Sequence, residues 1–287
     1  MKKLFGDINI SWTKLLIMAV VIGIYTGCAL LIPITKDTSF SDLGATFEVW
    51  VFLGIFIIMN SKTPKESALK CFIFFLVSQP IIYLVQDLLD GSKLFWTYYE
   101  PWFIWTLLCI PMGYIGHYLK KNKWWGLLIL APMIVLVGYQ YNYYLDKIMF
   151  AFPRHLLTVL FCVITIVSYP LVIFEDKKLR IIGEVFSVGV ITVFTVLGLS
   201  SKPVYVAHVL SNNSEHPFDN TCTVSIEDES LGTIGIEYVE SISDYMVVGN
   251  FIKEGNTSFI LECPNGSKKT FDIKVKQTTY DVQERTN

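Results

Sequence analysis

Glu48 sits in an otherwise apolar run, Phe47-Glu48-Val49-Trp50-Val51-Phe52, and its position asks for a chemical reason. An ionisable group at the centre of a membrane helix costs roughly 2.5–3.5 kcal/mol on insertion scales. It persists where water, a cation or hydrogen bonds offset its desolvation. Further polar groups follow in register. Gln79, Tyr83, Gln86, Asp87 and Asp90 recur at spacings of three to four, which is one helical face. Gln140 and Asn142 lie in a later apolar run, and Arg154-His155 opens another. Aromatic residues surround these positions: Trp50, Trp96, Trp102, Trp105, Tyr139 and Tyr143 among them. Together they could line an outward-open pocket whose aromatic walls stack on a sugar, a lipid headgroup or a peptide. Glu48, Asp87 and His155 are its candidate acids and bases. Arg154 is the charge partner expected for Glu48, with Gln86, Asp87 and His155 as neighbours. The bland alternative is an aromatic belt at headgroup level, a stripe facing a polar neighbour, and an Arg-His pair that snorkels or caps a helix.

Other chemistry has no foothold. The chain contains no P-loop, HExxH, GxSxG or Rossmann glycine pattern. No CxxC or Cys/His ligand spacing occurs, so neither a metal nor a cofactor is expected. Pro80, Pro111, Pro132 and Pro170 interrupt apolar runs and can kink helices there. The runs show no repeat between halves of the kind inverted-repeat transporters carry.

The elements that must hold these residues are membrane spans. Apolar residues make up 53% of the 287 and charged ones only 17%, against about 45–50% and about 25% in soluble chains. A span needs about 20 apolar residues. Seven runs fit: 15–34, 43–59, 68–89, 101–119, 124–145, 155–174 and 179–200, the second being the shortest. Lys and Arg alternate sharply between their ends. Lys2, Lys3 and Lys14; Lys62, Lys65 and Lys70; Lys120, Lys121 and Lys123; and Lys177, Lys178 and Arg180 fall on one side. Only Lys36, Lys93, Lys147 and Arg154 fall on the other. The positive-inside rule then places the amino terminus in the cytoplasm and the carboxyl terminus outside. Lys greatly outnumbers Arg, as AT-rich bacterial codon usage would produce. Tyr25-Thr26-Gly27-Cys28 loosely resembles a bacterial lipoprotein signal. Tyr25 replaces the aliphatic residue of that pattern, and Ala29-Leu30-Leu31-Ile32 continues apolar, so an uncleaved first helix is expected.

The composition breaks near residue 200. Residues 1–200 carry a balance of +4 and residues 201–287 one of −6, which marks two domains in different solvents. Beyond Ser200 the apolar residues alternate with period two over 221–227, 233–239, 245–251, 257–263 and 270–276, with a possible first strand at 204–209. Gly, Asn and Pro punctuate every 10–12 residues, the pattern of an all-β sandwich. The ending GNTSFILECPNGSKKTFDIKVK resembles the last hairpin of bacterial immunoglobulin-like surface domains, and the resemblance over about 80 residues implies fold only. Cys222 and Cys263 each share a strand face with apolar neighbours, so a disulfide between two sheets is conceivable. Two buried free thiols are the favoured alternative. The remaining residues after the last strand read as a short tail.

The expected architecture is thus a membrane α-helical bundle over 1–200 followed by an extracytoplasmic immunoglobulin-like sandwich over 201–287. The function expected first is binding of a small molecule, lipid or protein partner at the outer face, through Glu48, Gln79, Tyr83, Gln86, Asp87, Trp102, Trp105, Gln140, Arg154 and His155. The β domain would serve as lid or docking module. A membrane enzyme acting on lipid-linked or cell-wall precursors is the second expectation, and a structural subunit of a membrane complex the third. The expected partners are the bilayer and another membrane or extracellular protein. The acidic outer domain makes nucleic acid an unsuitable one.

Overall fold

The computed structural model describes residues 5–6, 8–91, 94–200, 204–240, 244–276 and 279–285, with backbone only for 94–98. The chain divides into two compact units, one of residues 1–144 and 154–197, the other of residues 145–153 and 198–287.

The first unit is helical. Its helices are α1 (Trp12–Leu31), α2 (Ser39–Ala45), α3 (Phe47–Met59), α4 (Pro64–Asp90), α5 (Leu94–Gly116), α6 (Trp125–Phe150), α7 (Leu156–Ile173) and α8 (Lys177–Ser200). Local sequence sets their ends. The Ser11 hydroxyl accepts the Lys14 N–H at 3.3 Å to start α1, and Thr63 accepts that of Glu66 at 3.1 Å to start α4, where Pro64 occupies the first turn. Gly91 closes α4 in the left-handed conformation, φ 69°. Small residues let the helices approach. A Cβ on Gly27 of α1 would lie 2.7 Å from Val85 of α4, and one on Gly113 of α5 would lie 2.9 Å from Ala68. At that second crossing the Ser67 hydroxyl donates to the Gly113 carbonyl at 2.8 Å, replacing a bond that hydrocarbon cannot offer.

Five helices, α1, α4, α6, α7 and α8, are long and apolar enough to cross a membrane, and the pair α2–α3 makes a sixth if its 52° bend belongs to one broken span. The fourth run, 101–119, falls mostly in a 23-residue helix, α5, which carries Glu100, Pro101 and Pro111 and is not among these spans. The coarse reading stands: this is a multi-pass arrangement of apolar helices. Exposed faces agree with it. Ile17 and Val21 of α1, and Ile182, Val185 and Val193 of α8, are all more than half exposed.

The second unit is β. Its strands are β1 (Tyr205–Ser211), β2 (Thr223–Ile226), β3 (Gly232–Val239), β4 (Asp244–Phe251), β5 (Gly255–Glu262), β6 (Lys268–Val275) and β7 (Tyr280–Glu284). They form two antiparallel sheets, β1-β4-β3 and β2-β5-β6-β7, whose inward residues share one core of Val247, Phe251, Phe259, Leu261, Phe271 and Ile273 with their neighbours. Phe259 and Phe271 face each other across β5 and β6 and stack at 5.0 Å. Each such buried ring contributes about 1.5–3 kcal/mol. Phe150 and Ala151 belong to this core too, and the Phe150 carbonyl accepts the Glu254 N–H at 3.3 Å.

Three details depart from expectation. The immunoglobulin partition pairs strands A, B, E and D in one sheet and C, F and G in the other. Here the second and fifth strands are neighbours as in that partition, but the first pairs with the fourth and the fifth with the sixth. The resemblance therefore extends to a two-sheet antiparallel architecture, compatible with a β-sandwich. The expected tail is strand β7, hydrogen-bonded to β6 from Val275↔Tyr280 to Phe271↔Glu284. As an edge strand with only Val282 packed against the core, it carries little hydrophobic alternation. Finally, Cys222 and Cys263 form a disulfide, so the free thiols favoured from sequence are overturned. The bond lies within one sheet and does not link two. Thr223↔Glu262 are paired across β2 and β5, and continuing that register sets Cys222 opposite Cys263, with Cα atoms 4.2 Å apart. Their N–H groups bond away from each other, to the Asp219 and Ser267 carbonyls. That makes them a non-hydrogen-bonded pair, the closer of the two antiparallel types.

Candidate functional site

The break between α2 and α3 organises the first polar feature. Thr46 is extended there, φ −106° and ψ 156°, and ends one helix while starting the next. Upstream, Thr38 caps α2 through a capping box with Ser41. Ser39 then ties α2 to the start of α7. Its N–H and hydroxyl both donate to the Arg154 carbonyl, at 2.8 and 2.9 Å, and its oxygen accepts the Thr158 N–H at 3.3 Å. Residues three apart share a helix face, so Asp42 meets His155 and Thr158. His155 Nδ1 lies 2.6 Å from Asp42 Oδ2, and the Thr158 hydroxyl donates to the same oxygen at 2.9 Å. A carboxylate only accepts, so Nδ1 is the donor. The Tyr144 ring lies over the imidazole at 5.6 Å.

Glu48, in the first turn of α3 and fully buried, joins this network through Thr46. The Thr46 hydroxyl contacts Glu48 Oε1 and also lies 2.6 Å from the Asp42 carbonyl oxygen. Gln140 Nε2 donates to Glu48 Oε2 at 3.5 Å. Thr46 owns one proton and touches two acceptors. That single proton is shared between the Glu48 carboxyl and the Asp42 carbonyl.

The second feature is an apolar cavity of about 560 Å³ among α3, α4, α5 and α6. It runs from Phe47 to Ile58 along α3 and from Trp102 to Gly116 along α5, which at 1.5 Å per residue is about 16–21 Å. Gln79 and Thr106 bring polar side chains to one end, beside Trp50, Trp102 and Trp105. None of its lining residues among those described is Asp, Glu, His, Lys or Arg.

The candidate residues therefore separate into two places. Glu48, Gln140 and His155 belong to the buried network, while Gln79, Trp102 and Trp105 line the cavity. Tyr83 and Gln86 are buried further along α4 but line neither, and Asp87 is half-buried. Arg154 is exposed and contributes its carbonyl to Ser39. It is not among the partners of Glu48, which takes neutral hydrogen bonds in its place. Of the aromatic residues singled out from sequence, the side chain of Trp96 lies outside the described residues. Asp42, Thr46 and Thr158 were not foreseen. Asp42 sits just before the apolar run that starts at Leu43, in a stretch with the polarity of a loop. The Thr38-Ser39-Phe40-Ser41 capping pattern was the available signal that a helix begins there.

Compared with family models, with characterised proteins and with solved structures, this chain matches none.

Proposed function

We propose that this chain is a seven-span membrane protein that binds an apolar small molecule, a membrane lipid, between its helices. The amino terminus is cytoplasmic and the β unit lies outside. Loop charges support this topology, and α5, at 23 residues or about 34 Å, is long enough to serve as the remaining span. The Cys222–Cys263 bond suits an oxidising compartment outside the cytoplasm.

The cavity is the observation that carries the functional reading. It is elongated along the spans, of a size ordinary for ligand pockets, and walled almost wholly by apolar and aromatic side chains. It lies within the spans, deeper than the outer rim. A lining without acids or bases favours binding over the alternative, chemistry on lipid-linked precursors. The buried network of Asp42, His155 and Glu48 is a positioning device that fixes the α2–α3 break and hence the wall that α3 gives to the cavity.

Gly54 provides the test. It lines the cavity and a Cβ there meets nothing within 4 Å, so the side chain of Gly54→Leu starts into open space and occupies part of the cavity. Lipid retained by purified full-length protein in nanodiscs is read by native mass spectrometry. Wild type is expected to retain bound lipid that Gly54→Leu loses at unchanged thermal stability. Equal retention by both proteins sinks the reading.

A further inference from the structure

Gln79 is only 6% exposed, yet its carboxamide lines the apolar cavity, and among the described residues no group hydrogen-bonds it. A carboxamide has two N–H donors and a carbonyl acceptor, and leaving such groups unpaired in an apolar setting costs kcal/mol. The missing partner belongs to whatever fills the cavity. Its position limits the chemistry. Gln79 stands fifteen residues beyond Pro64 on α4, about 22 Å along the helix and so inside the hydrocarbon layer. With no cation in the lining, a phosphate or carboxylate placed there would be desolvated without compensation. From Gln79 the cavity continues past Gly54 towards Gly116 and Leu128 as a purely apolar channel.

We infer that the ligand is a single-chain neutral amphiphile, whose hydroxyl or ester carbonyl pairs with the Gln79 carboxamide while its alkyl tail lies along Gly54 and Gly116. This rests on the lipid-binding reading above and names the lipid class. The carboxamide can donate to a carbonyl or hydroxyl oxygen and accept from a hydroxyl, so alcohols and esters are both substrates for the site. Anionic lipids of the same chain length are excluded by charge.

The test uses full-length protein in nanodiscs and five photoactivatable hexadecyl probes with a mid-chain diazirine: the alcohol, its acetate ester, the carboxylic acid, the phosphate and the plain alkane. Labelled residues are mapped by mass spectrometry. The alcohol and ester are expected to label cavity residues several-fold above the acid and phosphate at neutral pH. Their relative yields distinguish a hydroxyl from a carbonyl ligand. Gln79→Leu keeps the volume but removes the hydrogen bond, so it should lower alcohol and ester labelling about tenfold while the alkane is unaffected. The alkane also reports that this variant is folded. Gly54→Leu should abolish all five. An unchanged alcohol-to-alkane ratio in Gln79→Leu overturns the neutral-headgroup inference and leaves lipid binding intact. Labelling that survives Gly54→Leu overturns both.

Discussion

His155 and Asp42, 113 residues apart in sequence, meet at 2.6 Å in a pair whose side chains are 1% and 8% exposed. It joins the short helix α2 to the start of α7, and Thr158 adds a second hydrogen bond to the same carboxylate oxygen. Removing one partner of such a pair leaves the other buried without compensation. Asp42→Ala should therefore destabilise the protein by about 3–5 kcal/mol, and Asp42→Asn by less, since the amide oxygen still accepts. Denaturant unfolding in detergent measures both. Coupling decides whether the pair acts as a unit: Asp42→Ala and His155→Ala should be non-additive by about 1–3 kcal/mol, and additivity within about 0.5 kcal/mol would reject it.

Glu48→Gln tests the hydrogen bonds that Glu48 makes to Thr46 and Gln140. The glutamine amide keeps the shape of the carboxyl, and its oxygen can still accept a hydrogen bond in the same place. Folding and lipid retention should both survive this substitution, because Glu48 does not line the cavity. Glu48→Ala should cost about 1–3 kcal/mol by leaving the buried Gln140 N–H without its partner. A Glu48→Gln protein that is folded but has lost its ligand would assign Glu48 a direct part in binding.

Burial of Glu48 followed from cost alone, since a carboxylate inside an apolar run has few affordable positions. Its partners did not follow. Arg154 was the nearest cation on the same side by topology, but it is exposed, and Asp42 and Thr46 are brought in by a helix break that hydropathy reads as a loop. The β strands were legible because period-two alternation survives in β3 to β6. It fails in β7, whose edge position asks for little burial. Pattern located both Cys222 and Cys263 on apolar strand faces, whereas their bonding depended on the β2–β5 register. The cavity was invisible for a similar reason. Gln79, Trp102 and Trp105 were chosen as polar or aromatic, and only the packing of α3 to α6 shows that they share a wall.

The disulfide makes a count. Cys222 and Cys263 are bonded and Cys28, Cys71, Cys109 and Cys162 are free. Thiol titration of denatured, unreduced protein should find four reactive thiols, rising to six on reduction. Cys222→Ser should lower the stability of the β unit by about 2–4 kcal/mol, as a bond separated by 41 residues constrains a sizeable loop of the unfolded chain. Six thiols before reduction would refute the pairing.

Asp272 and Arg285 give the β unit an acid-sensitive clasp. Hydrogen bonds from Arg285 and then from Ser258, at 2.5 and 2.8 Å, hold the Asp272 carboxyl below the ordinary carboxylate range. The sign follows from linkage. A folded-state pKa below the unfolded value, about 3.9, contributes stability above that value and loses it as pH falls through the folded pKa. Arg285 also anchors the end of β7 through its N–H to the Thr270 carbonyl at 2.8 Å. Arg285→Gln should therefore flatten the loss of stability below about pH 4, while amide exchange in 280–284 speeds up at neutral pH. An acid profile identical to wild type would show that the clasp contributes nothing.

Span count is decided by two positions, because five and seven spans both deliver the carboxyl terminus outside. If α2–α3 and α5 both cross, reporters after Lys65, Lys123 and Lys178 read cytoplasmic, and those after Lys36, Lys93, Lys147 and Gly255 read external. If neither crosses, Lys65 becomes external and Lys93 cytoplasmic while every other site keeps its reading. If only the bent pair crosses, Lys123 and Lys178 turn external while Lys147 and Gly255 turn cytoplasmic. The charges favour seven. Five spans would strand Lys62, Lys65 and Lys70 outside, against the positive-inside rule. Six would do the same to Lys120, Lys121 and Lys123 and to the cluster at Lys177, Lys178 and Arg180. The expected result is therefore a cytoplasmic Lys65, an external Lys93 and an external Gly255. A cytoplasmic Gly255 together with a cytoplasmic Lys65 would demote α5, and with it one wall of the proposed lipid site.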